Sequence, residues 1–221
     1  ADNIKTLKAA QTAQEEGICI PVLLGKRSLI EKLIQEYSLD FGDVEIVDPK
    51  SEEEEEKRNQ FGKAFFNARK RKGVTEYEAI QLMRERNHFG AMLVDQGLAD
   101  AMITGLTRSY RSALKPLLQI IGVEKDVNLV AGMYILNTKR GPLFLADTTV
   151  NLNPNAAQIA EITQNVAKTI RKLKITPRIA LLSTSDVATI VSPANGLIIY
   201  NTATAGTTPN NVIPGYYYWD G

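Results

Sequence analysis

Cysteine, histidine and tryptophan are nearly absent from this 221-residue chain: Cys19, His88 and Trp219 each occur once. One cysteine cannot form an internal disulfide, and Cys19 with His88 falls short of the four ligands of an ordinary zinc site, so no metal site is expected. No apolar run approaches the roughly 18 residues that span a bilayer. The opening Ala1-Asp2-Asn3-Ile4-Lys5 has no apolar signal-peptide core. The expectation is a cytoplasmic protein with no membrane partner. A surplus of one charge is missing too: 26 Lys and Arg stand against 25 Asp and Glu, a net +1. With no global field to attract nucleic acid, any anion site must be local.

Charge is unevenly spread. Residues 187–221 contain no Lys, Arg, Glu or His and one acid, Asp220, so all 26 basic residues precede them. That stretch is rich in Thr, Asn, Pro, Gly and Tyr, with turn pairs such as Pro209-Asn210 and Pro214-Gly215. It reads as a separate tail, 186–221, after a domain spanning 1–185.

Within the first part, apolar spacing predicts a helix through Leu7, Ala10 and Ala13, capped by Gly17. A strand, Ile20–Leu24, follows. Ser28 and Glu31 have capping-box spacing before a helix over 29–37, and Val44–Val47 is the next strand, giving the strand, helix, strand rhythm of a parallel sheet. The acidic run Glu52–Glu56 suits a helix N-terminus continuing through Phe61, Phe65 and Ala68. Thr75 and Glu78 form a second capping box, opening a helix to about Arg86, and another helix carries Phe89, Met92 and Leu93 to Gly97. Ala101–Thr104 reads as a buried strand, and Ser109–Ile121 as a helix with Leu114, Leu117, Leu118 and Ile121 inward. Leu129–Leu136 and Pro142–Ala146 should form an antiparallel hairpin. Asn153-Pro154 reads as an N-cap and first helical residue, opening a helix to Lys174 with Ile159, Ile162, Val166, Ile170 and Leu173 inward. A last strand, Ile179–Leu182, follows Pro177. Cys19, between isoleucines, reads as a buried small residue, and His88 as structural. The regular part is α/β.

Three groups of residues can do chemistry. Gly105-Leu106-Thr107-Arg108-Ser109 lies between an expected strand end and a helix start, where free N–H groups and the dipole favour an anion. Thr107 and Ser109 add hydroxyls; Arg108, Arg111 and Lys115 add charge. The same residues would equally serve as a helix cap with solvated arginines. Arg69-Lys70-Arg71-Lys72-Gly73 either complements a helix C-terminal dipole or offers Arg69 or Arg71 to a phosphate or carboxylate. Asp147, with Thr148, Thr149, Asn151 and Asn153, could orient a ligand but suits loop ordering better. No adjacent histidine makes it part of a nucleophile and base pair.

These motifs carry a resemblance. Arg71-Lys72-Gly73-Val74-Thr75, Phe89-Gly90-Ala91-Met92, Ala99-Asp100-Ala101, Leu114-Lys115-Pro116-Leu117-Leu118-Gln119, Leu145-Ala146-Asp147-Thr148-Thr149-Val150-Asn151 and Pro177-Arg178-Ile179-Ala180-Leu181-Leu182-Ser183 together resemble the phosphate acetyl/butyryltransferase family. Within it, Gly105-Leu106-Thr107-Arg108-Ser109-Tyr110 looks like the version at the C-terminal end of bacterial NADP-dependent malic enzymes. The resemblance implies a three-layer α/β/α fold of the phosphotransacetylase, isocitrate dehydrogenase-like type. It also implies a homo-oligomer through the family dimer interface, with CoA, acetyl-CoA or acetyl phosphate as ligand. NADP and a divalent metal would belong to a malate-oxidising domain outside this chain.

Carried over by position, Arg69 matches a family arginine, and Lys115 stands where transferases have arginine before Pro-hydrophobic-Leu-Gln. Lysine supplies a point charge where arginine supplies a planar fork. The pattern stops near Ser183, before the family's serine and aspartate, so no complete catalytic set is expected and both ends read as truncated. The tail, with Gly196–Thr202 and Pro214–Gly221, resembles β-rich surface or fibre-like segments of Bacteroidetes-type bacteria, as a fusion, frameshift or assembly artefact would produce. Three functions follow: a regulatory acetyl-CoA- or acetyl phosphate-binding domain of a malic enzyme, an active phosphate acetyltransferase, or a structural protein defined by its tail. Ligand binding is expected at Arg69, Thr107, Arg108, Ser109, Lys115 and Asp147.

Overall fold

The computed structural model describes residues 1–125, 127–139, 141–151, 154–181, 198–201 and 215–218. They belong to two compact units, Ala1–Val123 and Glu124–Gly221.

The first unit opens with α1 (Ile4–Glu15), where Asn3 Oδ1 accepts the Lys5 N–H at 2.9 Å. Gly17 at φ +67° ends it as expected. Its N–H reaches Gln14 O at 3.0 Å, and the Ile18 N–H reaches Ala13 O at 2.8 Å, so two orphan carbonyls are satisfied. Then come β1 (Val22–Leu24), α2 (Arg27–Glu36) and β2 (Glu45–Val47). The strands run parallel in the register Val22–Glu45, Leu23–Ile46, Leu24–Val47, which confirms the strand, helix, strand rhythm.

Three expectations fail here. The strand begins at Val22, and Ile20 is 93% exposed; Cys19 is exposed beside it, because the chain leaves α1 over the surface before turning into the sheet. The Ser28–Glu31 capping box does not form. Helix α2 starts two residues earlier, with Lys26 as N-cap, and Arg27 in its first turn donates from Nη2 to Ile46 O at 2.6 Å. That anchor to β2 moves Ser28 into the helix, where it has no cap to make.

Helix α3 (Glu55–Arg69) carries Glu55 and Glu56 in its first turn and buries Phe61 and Phe65. Helix α4 (Glu76–Leu82) has the Thr75 capping box in full: Glu78 N–H to Thr75 Oγ1 at 3.2 Å and Thr75 N–H to Glu78 Oε2 at 3.0 Å. It ends before Arg86, which instead begins α5 (Arg86–Asp95). A Cβ on Gly62 would lie 2.8 Å from Ile80 Cα, so glycine lets α3 and α4 approach backbone to backbone. Val47, Phe61, Phe65, Ala79, Met83, Phe89, Met92 and Leu93 form one apolar cluster, and Leu7, Leu23, Ile30, Phe41 and Ile46 a second.

Residues 101–104 form no strand, and Ile103 is fully exposed. The β1–β2 sheet offers this run no partner strand; what holds it is α5. Met102 fills the space a Cβ on Gly90 would occupy, and Thr104 Oγ1 donates to Asn87 Oδ1 at 2.8 Å. Helix α6 (Tyr110–Ile120) buries Ala113 and Pro116, while Leu118 and Ile121 are 37% and 53% exposed, so its inward face is rotated from the leucine stripe expected. Pro116 has no N–H for Ser112 O, and Asn87 Nδ2 donates to that carbonyl instead, at 3.3 Å. Packing α6 by its proline side against α5 leaves Leu114 and Leu117 half-buried and turns Leu118 and Ile121 outward.

The second unit holds the expected hairpin, β3 (Met133–Thr138) paired with β4 (Gly141–Ala146) from Met133–Ala146 to Thr138–Gly141. Helix α7 (Ala156–Lys172) begins two residues later than expected: Asn155, not Asn153, is the N-cap, in a capping box with Gln158. That box satisfies two N–H groups, which Pro154 at the first helical position could not match. Ile162, Ala167 and Ile170 are buried, but Leu173, at the C-cap, is 50% exposed. Residues 176–181 form no strand, and Ile179 and Leu181 are exposed; Asn153, Leu182 and Ser183 lie outside the described residues. In the β-like tail, β5 (Ile198–Asn201) pairs antiparallel with β6 (Gly215–Tyr218); the Pro209-Asn210 and Pro214-Gly215 turns lie wholly or partly outside the described residues. Helix and strand alternate from α1 to α3, the helices α4 to α6 follow before the β3–β4 hairpin and α7, and the fold is α/β.

Candidate functional site

Ser109 is the N-cap of α6. Its Oγ accepts the Ser112 N–H at 3.4 Å and donates to Ser112 Oγ at 3.0 Å, so this hydroxyl is engaged in capping. Gly105, at φ +119°, makes the turn into the loop. The first turn of α6 carries no acidic residue to neutralise the positive end of the helix dipole. Thr107, Arg108, Arg111 and Lys115 are exposed, and among the described residues none of the three cations is in an ion pair. Arg111 and Lys115, four residues apart, share one face of the helix. The loop and the first turns of α6 carry Thr107, Arg108, Ser109 and Lys115.

Arg69 is at the last position of α3 in the same unit. It is half-buried, and its Nε is buried without a hydrogen-bond partner among the described residues. The three cations after it form a short 3-10 turn, Lys70–Lys72, closed by Gly73 at φ +83°. They complement the C-terminal dipole of α3, the structural role expected of them.

His88 is 7% exposed in α5. Its Nε2 lies 3.3 Å from Gln119 Oε1 on α6, and its ring meets Phe65 edge-on at 6.1 Å between centroids. Burial holds the imidazole below its ordinary pKa. The Gln119 hydrogen bond and the charge of Glu85 oppose that shift, and the positive charge of Lys115 adds to it. His88 was expected to be structural, and it is a core residue; its tie to Gln119, one turn from Lys115, had no signal in the sequence beyond its position in an apolar helix.

Asp147 belongs to the second unit and sits at φ +50°. Its Oδ1 accepts the N–H groups of Gly132 at 3.1 Å and Val150 at 3.3 Å; its Oδ2 accepts the Asn151 N–H at 3.2 Å and Asn151 Nδ2 at 2.5 Å. Asn151 Nδ2 also donates to Val130 O at 2.9 Å. Asp147 orders its own loop, the role the sequence favoured. Glu161, missed in the sequence, does similar work from α7, accepting the N–H groups of Asn128 at 2.7 Å and Leu129 at 3.0 Å.

A surface depression at the start of α3 is lined by Glu52, Glu53, Glu55, Glu56, Asn59, Gln60 and Lys63. Its negative charge is wrong for an anion. Among the described residues no group of three or more His, Cys, Asp or Glu could hold a metal, so the side chains present do not fit a divalent cation, whereas cations and hydroxyls at a helix start fit phosphate oxygens.

The fold places the chain in the α/β class. Its family is more definite: the sequence profile described as Phosphate acetyl/butaryl transferase matches residues 1–196, past the expected boundary at 185, and the chain belongs to that family. A phosphate acetyltransferase of Synechocystis is 33% identical over 187 residues, 84% of this chain and 26% of its own. An NADP-dependent malic enzyme of Haemophilus influenzae is 36% identical over 186 residues, 82% of this chain and 24% of its own. A phosphotransacetylase structure from Streptococcus pyogenes superimposes with a TM-score of 0.72 at 29% identity, over 86% of this chain and 57% of that one. The chain therefore spans about a quarter of the length of these two relatives, and its fold is of the phosphotransacetylase type.

Proposed function

We propose that this chain binds the phosphate-bearing ligands acetyl phosphate and acetyl-CoA through the start of α6, with Thr107, Arg108, Ser109 and Lys115 as ligands and Arg69 as a further cation. We read it as the regulatory, phosphotransacetylase-like part of an NADP-dependent malic enzyme. The observation that carries the binding reading is the unneutralised first turn of α6 with Arg108, Arg111 and Lys115 free of ion pairs among the described residues. Support for the regulatory role comes from Lys115 in place of a forked arginine and from the similarity to a malic enzyme at 36% identity. In this reading Asp147 shapes its loop and does not touch ligand, and the chain acts as a homo-oligomer.

The test is titration calorimetry with acetyl phosphate and with acetyl-CoA, beside an assay for acetyl-CoA formation from acetyl phosphate and CoA. Binding without turnover is expected, weakened at least tenfold by Arg108→Ala with Lys115→Ala, the loss of two charge-assisted contacts at about 1.5 kcal/mol or more together. No heat and no thermal shift with either ligand would reject the site. Steady turnover would favour the second reading, an active phosphate acetyltransferase, which the similarity to the Synechocystis enzyme supports.

A further inference from the structure

Helix α5 puts an ionisable ring in the apolar core, where a phenyl ring would pack without any unpaired polar atom. His88 Nε2 faces Gln119 Oε1, so Nε2 carries the proton and Nδ1 the lone pair. Nδ1 is buried and has no partner among the described residues. Each neighbouring element presents something different to the ring. From α3 come the Phe65 ring and, one turn on, Arg69. At the start of α5 itself stands Glu85, and from α6 come Gln119 and, four residues before it on the same face, Lys115.

We propose that His88 is a proton-linked element of the α6 anion site, such that an anion settling on Lys115 draws a proton from solvent onto His88 Nδ1. The inference rests on the anion-binding reading above. Lys115 and a protonated His88 repel each other across the α5–α6 contact, and an anion on Lys115 removes that repulsion. Coupling between two binding events is reciprocal, so protonated His88 must hold the anion more tightly by the same factor. Gln119 accepts from Nε2 in either protonation state, which keeps α5 tied to α6 while only Nδ1 changes. Burial lowers the imidazole's affinity for a proton in the free chain, a shift that an anion nearby would oppose.

The chain has a single histidine, so one imidazole resonance reports on it without assignment. The experiment is an NMR pH titration of the full chain in sulfate, whose charge is constant over the range used, against chloride at equal ionic strength. Sulfate is expected to raise the His88 pKa by about half a unit, equivalent to about threefold tighter sulfate binding to the protonated chain. Lys115→Gln is expected to raise the pKa in chloride and to abolish the sulfate effect. His88→Gln, which keeps a donor for Gln119, should bind sulfate with no dependence on pH between about 5.5 and 8. An unmoved imidazole pKa while the backbone resonances of α6 shift with sulfate would overturn the proton linkage and leave the anion site standing. Unmoved α6 resonances in both sulfate and acetyl phosphate would overturn the site and the linkage together.

Discussion

In Ala1–Val123 the side chains of Leu7, Ile30, Ala79, Met83, Phe89 and Ala91 are wholly withdrawn from solvent, whereas in Glu124–Gly221 the most buried described apolar side chains are Ala167, Ile170 and Ile162, at 5 to 6% exposure. The second unit makes up the difference with polar latches. Asp147 collects four donors, Glu161 two, and Asn155 with Gln158 closes the start of α7. Its hairpin leaves Tyr134 and Ile135 half in solvent. Apolar area withdrawn from water scales with how many side chains can be enclosed, while a half-buried carboxylate is held by a few directed bonds. The two units should therefore fail under different substitutions.

Phe89→Ala strikes at the first unit's means of cohesion and carries the largest expected effect. The ring is fully buried against Phe61, with centroids 5.1 Å apart, and its loss should cost about 3–5 kcal/mol in urea unfolding. A cost below about 1 kcal/mol would mean that enclosed area is not what holds this unit. Asp147→Ala is the counterpart in the second unit. It removes an acceptor shared by four donors and puts alanine at φ +50°, for an expected loss of about 2 kcal/mol. Peptide-resolved hydrogen exchange should show that loss around residues 130–151; protection unchanged there would break the comparison. The smallest effect sharpens it by pH. Because burial depresses the His88 pKa, the unfolded chain takes up its proton first as pH falls through about 6.5. This contribution to stability is intact above that value and declines below it until the folded-state pKa is passed. The pH-dependent part of the melting temperature in this window should vanish in His88→Phe, and hydrogen exchange should confine it to the first unit.

The family and the α/β rhythm were legible because they rest on local signals. Thr75 and Glu78 meet within one helical turn, Gly17 needs only its own backbone, and the β3–β4 hairpin joins neighbours in sequence. The errors share a different cause: each depended on what another element would cover. The periodicity of α6 located a leucine stripe correctly as a stripe, but the face that packs was chosen by Pro116 and by Asn87 on α5. Ala101–Thr104 has the composition of a buried strand but, among the described residues, pairs with none. Ser28 and Glu31 had the right spacing for a cap, and a contact between Arg27 and β2 moved the helix start past them. Of the candidate site, the loop position of Thr107 and Arg108 and the capping role of Ser109 could be read directly. The approach of His88 to Gln119 could not, since it joins positions 31 residues apart.

The bond from Asn87 to the Ser112 carbonyl also has a meaning in time. With Pro116 in its middle, α6 cannot complete its own ladder, and the missing donor comes from a helix made earlier in the chain. During synthesis from the N-terminus, Asn87 leaves the ribosome before Ser112 does, so the surface that receives α6 can be waiting when the cation-bearing segment emerges.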